Sequence, residues 1–280
     1  MHGLGNDFVV FDARKKPLAL DLTTARAVAD RRFGVGCDQV IVIEPGHGKF
    51  DAVMKIQNAD GGEVESCGNA ARCVARLLME ETGRDQVRID TEGGALVCTD
   101  AGDGLVTVDM GAPKTMWHEV PLAHAADTNM FHLNVDGTNH VASALSVGNP
   151  HVVLFVDDAD SAPVAGLGAR IESHPMFPQR TNVEFVSVHR EDRSLRARQA
   201  GRLRMRVWER GVGITRACGT GACATAVAAF RRGIAGRRVE VVLDGGSLQI
   251  ELRENDEHIL MTGPATLAFT GDVNLEALTS

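Results

Sequence analysis

The chain has 280 residues, of which 44% are hydrophobic and 24% charged, so it can bury one large core or two smaller ones. Its formal net charge is -8, and an acidic chain offers little of the lysine and arginine surface that binds phosphates, so we expect no nucleic-acid partner. No apolar run approaches the roughly 20 residues of a membrane helix, and the first residues do not form a signal peptide. We therefore expect a cytoplasmic protein with no membrane partner and with reduced cysteines.

Short runs rich in valine and isoleucine, bounded by glycine, aspartate, asparagine or proline, predict strands along the whole chain. They lie at residues 8–11, 40–43, 87–89, 106–108, 152–156, 183–188, 205–208, 239–243, 248–252 and 259–261. Helical periodicity predicts a helix over residues 25–32, with Thr23 and Thr24 suited to its N-cap, and alanine-rich helices over 69–81 and 220–232. The small side chains of the last two helices predict close packing against a sheet.

Two pairs of segments show that the halves of the chain are similar. Residues 5–12 read GNDFVVFD and residues 148–155 read GNPHVVLF, while residues 67–71 read CGNAA and residues 218–222 read CGTGA. This repetition predicts two related domains, each with a Gly-Asn turn and a helix that starts after Cys-Gly. A Gly-Ala-Pro turn places the boundary between them near residues 112–117.

The repeated Cys-Gly pairs carry the chemistry of this sequence. The first turn of a helix has unpaired N–H groups and the positive end of the helix dipole, so we expect a lowered pKa for a thiol there and a docking site for a carboxylate. If the two domains face each other, Cys67 and Cys218 lie on opposite sides of the carbon that bears this carboxylate. Inversion of that carbon requires proton removal from one face and delivery to the other. We therefore expect Cys67 and Cys218 to be a paired acid and base.

No cofactor or metal is expected. The remaining cysteines suit an inert, buried role, because free cysteine is among the most buried residue types; they are Cys37, Cys73, Cys98 and Cys223. Cysteine and histidine do not cluster at zinc-ligand spacing. Residues 219–224 match G-x-G-x-x-A, but residues 211–217 separate them from the preceding strand, which argues against a dinucleotide site.

Two other classes of function remain open on the residues alone. Cys67 with His151 is a possible nucleophile and base of a cysteine hydrolase, in which Cys218 is dispensable. A binding protein that has lost activity is the other class, and the presence of both Cys67 and Cys218 argues against it.

Ordered motifs along essentially the whole chain resemble the diaminopimelate epimerase family. They are MHGLGNDF at 1–8, FGVGCDQ at 33–39, NADG at 58–61, ESCGNAARC at 65–73, VGNPH at 147–151, TNVEF at 181–185, WERGVG at 208–213, ACGTGACA at 217–224 and MTGPA at 261–265. The resemblance implies an α/β fold of the α+β type, with two similar domains, each a curved, mainly antiparallel sheet around a central helix, and an active site in the cleft between them. It implies one domain over residues 1–113 with 265–280, carrying Cys67, and another over 114–264, carrying Cys218.

The resemblance also implies an activity and a set of site residues. The activity is the cofactor-independent conversion of LL-2,6-diaminopimelate to the meso form, a step toward lysine and peptidoglycan precursors, without pyridoxal phosphate. Cys67 and Cys218 are then the acid and base, assisted by His151 and Glu209. The family's substrate-binding positions fall on Asn6, Gln39, Asn58, Gly68, Asn69, Asn149, Asn182, Glu209, Arg210, Gly219 and Thr220. The only partners expected are the small amino-acid substrate and a second copy in a homodimer; proline, hydroxyproline or histidine is the alternative substrate for the same two-cysteine mechanism.

Overall fold

The computed structural model describes residues 1–65, 67–189 and 200–279, and the chain divides into two compact units. Unit 1 contains Met1–Asp109 and the chain from Thr262 onward, and unit 2 contains Met110–Met261. The N-terminal and C-terminal segments meet within unit 1, where His2 and Thr266 exchange main-chain hydrogen bonds of 2.9 Å. Unit 1 is therefore closed by both ends of the chain.

Strands account for most of the regular structure, with few helices. The strands are β1 (His2–Gly3), β2 (Asn6–Asp12), β3 (Gln39–Pro45), β4 (Ala52–Asn58), β5 (Gln86–Thr91), β6 (Gly94–Gly102), β7 (Leu105–Asp109), β8 (Phe131–Val135), β9 (Thr138–Ser146), β10 (Pro150–Phe155), β11 (Asn182–Val188), β12 (Ala200–Glu209), β13 (Gly213–Ile214), β14 (Ala235–Leu243), β15 (Gly246–Leu252) and β16 (Ile259–Pro264). The α-helices are α1 (Leu22–Ala29), α2 (Gly68–Thr82), α3 (Val164–Glu172), α4 (Gly219–Arg231) and α5 (Leu275–Thr279).

The sheet of unit 1 curves around α2. Neighbouring strands pair in the order β1 to β7; β2 with β3 and β4 with β5 are parallel, and the other pairs are antiparallel. Helix α2 packs against β1 and β2 on one side of this order and against β5, β6 and β7 on the other. A flat sheet does not reach one helix with strands so far apart in its order, so the sheet must bend around α2.

Unit 2 repeats this arrangement around α4. Strands β10 and β11 are parallel, β11 and β12 antiparallel, β12 and β14 parallel, and β14 and β15 antiparallel, which is the order of pair types from β2 to β6. Strands β8 and β9 extend the sheet beyond β10, and β13 pairs with β12. Helix α4 contacts β9, β10, β11, β12, β14 and β15, while α3 packs against β11 and β12. The predicted fold of two similar, mainly antiparallel units, each with a central helix, is confirmed.

The predicted helices and strands are present, with shifted boundaries. Helix α1 begins at Leu22 and ends at Ala29, so the predicted range 25–32 is wrong at both ends, because the Asp21 carboxylate, and not a threonine, accepts the N-cap hydrogen bond, from Thr24 N at 2.7 Å. Strand β10 ends one residue before the predicted Val156. The predicted helices over 69–81 and 220–232 correspond to α2 and α4.

Candidate active site

The first group of candidate residues lies at the N-terminus of α2. Cys67 is the N-cap residue of this helix; it is half-buried, and its sulfur makes no capping hydrogen bond. The Cys67 thiol lies 3.9 Å from Asn6 Oδ1, and Asn69 Nδ2 donates to the same oxygen at 3.3 Å. Asn6 Nδ2 in turn donates to Asp38 Oδ2 at 3.0 Å. One amide of β2 therefore connects the thiol, the first turn of the helix and the start of β3.

A fully buried guanidinium holds Asn69 in place. Arg72 lies one helical turn after Asn69, and its side chain is 0% exposed. Its Nη2 donates to Asn69 Oδ1 at 2.8 Å, and its Nε donates to the main-chain oxygen of Pro264 at 3.2 Å. Because Arg72 occupies the oxygen of the Asn69 amide, the nitrogen of that amide points to Asn6.

Gln39 and Asn58 form a pair at the ends of β3 and β4. The register places them opposite each other, and Gln39 Nε2 donates to Asn58 Oδ1 at 2.9 Å. Gln39 Oε1 is buried and receives no hydrogen bond from the described residues. An unpaired buried acceptor costs about 1–3 kcal/mol, so this oxygen is suited to accept a hydrogen bond from a ligand.

The second group lies at the N-terminus of α4. Cys218 is the N-cap residue, is 5% exposed, and accepts a hydrogen bond on Sγ from Gly221 N at 3.4 Å. Thr220 Oγ1 lies 3.6 Å from the same sulfur. Burial, together with the charges of Glu209 and Glu184, raises the pKa of Cys218 well above the ordinary thiol value, more than these two hydrogen bonds lower it. The lowered pKa expected from the helix N-terminus is therefore wrong for Cys218, because burial and two carboxylates outweigh the helix.

Glu209 occupies the end of β12 beside Cys218. Its carboxylate accepts a hydrogen bond from Thr215 Oγ1. Burial raises the pKa of Glu209, although Thr215, Cys218 and His151 oppose the shift. The predicted assistant of the thiol therefore interacts with Cys218.

His151 lies between two oxygen-bearing side chains and is completely buried. Its Nδ1 lies 2.7 Å from Glu184 Oε1, and its Nε2 lies 2.8 Å from Asn149 Oδ1. In the parallel register of β10 and β11, Val153 lies opposite Glu184. His151 precedes Val153 by two residues, so its side chain lies on the same face of the sheet as that of Glu184. Burial raises the pKa of Glu184, although the neighbouring imidazole opposes the shift.

Asn182 orders the main chain beside this group. Its Nδ2 donates to the main-chain oxygen of Pro150 at 3.0 Å, and its Oδ1 accepts from the Arg210 main-chain N–H at 2.9 Å. Arg210 itself is exposed, and its Nη1 donates to the main-chain oxygen of Gln179 at 3.2 Å. The predicted substrate residues Asn182 and Arg210 thus adjoin each other, one buried and one facing solvent.

The glycines after each cysteine begin the two central helices. Gly68 and Asn69 open α2, and Gly219 and Thr220 open α4, so their N–H groups have no acceptor within the helix. Such groups can donate to a carboxylate. A side chain at Gly221 requires a neighbour to shift, because an ideal Cβ on Gly221 is 2.9 Å from Glu184 Oε1 and 3.2 Å from Cys218 Sγ.

The other four cysteines, Cys37, Cys73, Cys98 and Cys223, are buried, as predicted for core residues. Burial raises the pKa of Cys37 and of Cys73 to about 11, and that of Cys98 to about 12. Thiols with such values are inert near neutral pH.

Arg72, Glu184 and Thr215 were not predicted as part of the site. Arg72 stands within the CGNAARC motif and Glu184 within TNVEF, two residues after Asn182 and therefore on the same face of its strand. This alternation of side chains along the strand is the sequence signal from which Glu184 could have been predicted. Nothing in the sequence near Thr215 indicates its contact with Glu209.

Within residues 1–65, 67–189 and 200–279, no group of three or more histidine, cysteine, aspartate or glutamate side chains is arranged to hold a metal ion. No helix in the same ranges is long and apolar enough to span a membrane.

Solved structures with similar folds cover nearly the whole chain. A PhzF-family phenazine biosynthesis protein from Enterococcus faecalis aligns with a TM-score of 0.61 at 12% identity, covering 95% of this chain and 91% of that one. A methylitaconate-delta-isomerase aligns with a TM-score of 0.61 at 14% identity, covering 100% and 95%. At such identities the similarity shows the fold alone.

Comparisons of sequence are more specific. The diaminopimelate epimerase of Rhodospirillum centenum is 50% identical over 275 residues, covering 98% of this chain and 91% of that protein. That of Erythrobacter litoralis is 51% identical over 272 residues, covering 97% and 94%. The model of the family described as diaminopimelate epimerase matches residues 1–116 and 143–268. The expected enzyme class, an isomerase, is confirmed, and the chain belongs to the diaminopimelate epimerase family.

Proposed function

We propose that this enzyme converts LL-2,6-diaminopimelate to the meso form with two cysteines, Cys67 and Cys218, one of which removes the α-proton while the other delivers a proton to the opposite face, without pyridoxal phosphate or metal. The observation that carries the proposal is that each central helix has a cysteine as its N-cap, with unpaired N–H groups next to it. The substrate is the one named for relatives that are about half identical over nearly the full chain.

The helix N-termini supply the electrostatic part of this reaction. Removal of the α-proton moves negative charge onto the adjacent carboxylate, and N–H groups at Gly68, Asn69, Gly219 and Thr220 stabilise that charge more in the transition state than in the substrate. One thiol must start as thiolate and the other as thiol. The raised pKa of Cys218 favours its thiol form, so we assign Cys67 as the base and Cys218 as the proton donor of the first turnover.

Glu209 and His151 assist in different ways. Glu209 interacts with the Cys218 thiol, and its carboxylate is suited to orient the proton that is delivered. Both ring nitrogens of His151 are engaged by Asn149 and Glu184, so the ring is held within unit 2. A ring held in this way gives no support to its use as the mobile base of a cysteine hydrolase.

The distal amino-acid head of the substrate is assigned to polar side chains. The unpaired Gln39 Oε1, beside Asn58, is suited to accept from an ammonium group, and the Arg210 guanidinium to pair with a carboxylate. The proposed substrate-binding side chains also include four asparagines: Asn6, Asn69, Asn149 and Asn182. Asn182 acts through the main chain, because its Oδ1 accepts a hydrogen bond from Arg210 N.

The first test follows isotope exchange in D₂O by NMR. The reduced protein is incubated separately with LL-diaminopimelate, proline and histidine. We expect deuterium in the meso product, and early recovered substrate that remains unlabelled, because each thiol serves one face. Exchange with proline or histidine alone reassigns the substrate, and no exchange with any of the three refutes the proposal.

Cysteine variants test the two roles in the same assay. Cys67→Ala and Cys218→Ala should each abolish epimerisation while the melting temperature changes little. Cys73→Ala in α2 and Cys223→Ala in α4 are matched controls, since they remove a buried thiol from the same two helices, and both should remain active. Near-normal turnover by either of the first two variants contradicts the two-base mechanism.

We extend the proposal to a cytoplasmic location and a homodimer. A mechanism that depends on reduced thiols suits a reducing compartment. Light scattering coupled to size-exclusion chromatography measures the mass of the assembly.

A further inference from the structure

Glu184 is a buried carboxylate to which the reaction described above gives no task. It is 0% exposed, and its pKa is raised because burial disfavours the charged form. Its Oε2 receives no hydrogen bond from the described residues. Such a carboxylate destabilises a fold unless its contacts offset the cost of burying it.

Glu184 contacts two parts of the candidate site. Its Oε1 lies 2.7 Å from His151 Nδ1, and the two side chains come from adjacent parallel strands. The same oxygen borders Gly221 in the first turn of α4, whose N–H donates to Cys218 Sγ. The charged or titratable groups facing Glu184 in the described residues are His151, Glu209 and Cys218.

The geometry fixes the ring of His151. With Nδ1 at Glu184 and Nε2 at Asn149, rotation of the ring breaks both contacts. A carboxylate only accepts hydrogen bonds, so the contact between Nδ1 and Glu184 requires a hydrogen on Nδ1. The same pairing of a histidine with a carboxylate orients functional histidines in other enzymes.

We propose that Glu184 is a positioning residue of this enzyme: its carboxylate binds the Nδ1–H of His151 and holds the ring, and with it Asn149, in place beside Cys218 and Glu209. This role rests on the proposed epimerase function, but its first test does not depend on catalysis.

NMR of the unliganded protein labelled with ¹⁵N-histidine tests the bond itself. A hydrogen shared between Nδ1 and a buried carboxylate should give a downfield resonance coupled to Nδ1, absent from His151→Gln. In Glu184→Gln, which keeps the size of the side chain, this resonance should shift strongly upfield or vanish. If the wild-type protein shows no such resonance, the proposal is overturned, whether or not the variants fold.

Kinetics of the isotope exchange then test the positioning role. Removal of the carboxylate that orients a metal-binding histidine typically lowers activity about 10- to 100-fold. We expect a loss of that order in the kcat of Glu184→Gln. KM should be unchanged, because Glu184 does not bind the substrate. The control is Ser187→Ala, on the same strand but the opposite face, where Ser187 Oγ accepts from Ala159 N at 3.1 Å. This variant should be less stable, with kcat and the Nδ1–H resonance retained.

The outcomes separate the two proposals. If wild-type protein fails to exchange diaminopimelate, the epimerase function is refuted, while the resonance still reports on Glu184. If wild-type protein exchanges it and Glu184→Gln keeps the wild-type kcat, the positioning role is refuted and the function stands. A kcat loss shared equally by Ser187→Ala also refutes the role, since it then reflects general destabilisation of β11.

Discussion

Cys218 experiences opposing influences, and their balance decides which form of the thiol predominates. The Gly221 N–H and the Thr220 hydroxyl favour the thiolate, whereas burial, Glu209 and Glu184 favour the thiol and prevail. The thiolate is therefore scarce at neutral pH and grows only as the pH rises beyond the ordinary thiol value.

Neutralisation of Glu209 should lower the pKa of Cys218, because it removes one of the charges that raise it. We predict that Glu209→Gln increases the rate of Cys218 alkylation by iodoacetamide severalfold at pH 8, measured by mass spectrometry across pH 7–10. Glu172→Gln is the control, since Glu172 is also buried in unit 2 but binds Trp208 Nε1 at 2.7 Å. An unchanged or slower rate in Glu209→Gln contradicts this account.

Residues of the site differed in how well the sequence predicted them. The two cysteines follow from a local repeat, since a helix start needs only a few neighbouring residues. The direction of the shift in the Cys218 pKa could not be predicted in this way, because burial and the approach of Glu184 result from tertiary packing. Glu184 is 33 residues from His151 along the chain. The same distance explains why Glu184 was missed.

Helix α2 is fastened to the C-terminal part of the chain by arginines. Arg72 Nε donates to the main-chain oxygen of Pro264, and Arg76 Nη1 donates to that of Ala265 at 2.5 Å. Because Arg72 also fixes Asn69, this one side chain contributes both to the attachment of α2 and to the orientation of the site.

Arg72→Lys should impair both tasks, because a single ammonium group cannot reach acceptors in two directions as a guanidinium does. We predict a loss of about 2 kcal/mol or more in the free energy of unfolding, from buried acceptors left unpaired, and a higher KM. Urea denaturation and the exchange assay measure these effects. Arg84→Lys is the control, because the exposed Arg84–Asp51 pair should contribute little. Equal stability of the two variants contradicts the role of Arg72.

Elements were predicted where the pattern of side chains was strong. The alanine stripes of α2 and α4 predicted both central helices, and valine-rich runs predicted the strands they accompany. Strand β9 was not predicted because its sequence, TNHVASALS, mixes small and polar residues and does not alternate between apolar and polar side chains. Its last five residues are nevertheless buried. Burial on both faces of a strand removes alternation from its sequence.

At the scale of the whole molecule, the repeated succession of parallel and antiparallel pairs explains the internal similarity of the sequence. Each unit places a Gly-Asn turn before its first parallel strand, β2 or β10, and a Cys-Gly before its central helix. The sequence repeat was visible only at these turns and helix starts, because the main-chain conformation there restricts which residue types fit. Core positions accept many apolar side chains, so the two units differ there.

Three buried thiols of unit 1 make the stability of the protein sensitive to alkaline pH. Cys37 and Cys73 have a pKa of about 11, and Cys98 of about 12. A thiol whose folded-state pKa exceeds the unfolded value stabilises the fold below the unfolded pKa, and this contribution is lost as the pH rises toward the folded pKa. We predict that the free energy of unfolding, measured in urea, falls between about pH 8.5 and pH 11.

The matched variant for this prediction is Cys98→Ala. It lowers stability at every pH by leaving a cavity, but its loss of stability with pH should be shallower than in the wild-type protein. Parallel slopes for the two proteins contradict the assignment of the effect to buried thiols.

The bare main chain at Gly221 lets two functional groups approach α4 closely. A methyl group at this position meets Glu184 Oε1 at 2.9 Å and Cys218 Sγ at 3.2 Å. Gly221→Ala therefore requires the Glu184 carboxylate or the Cys218 sulfur to move. The absence of a side chain at one position of the first turn thus keeps the carboxylate, the sulfur and the helix main chain within contact of one another.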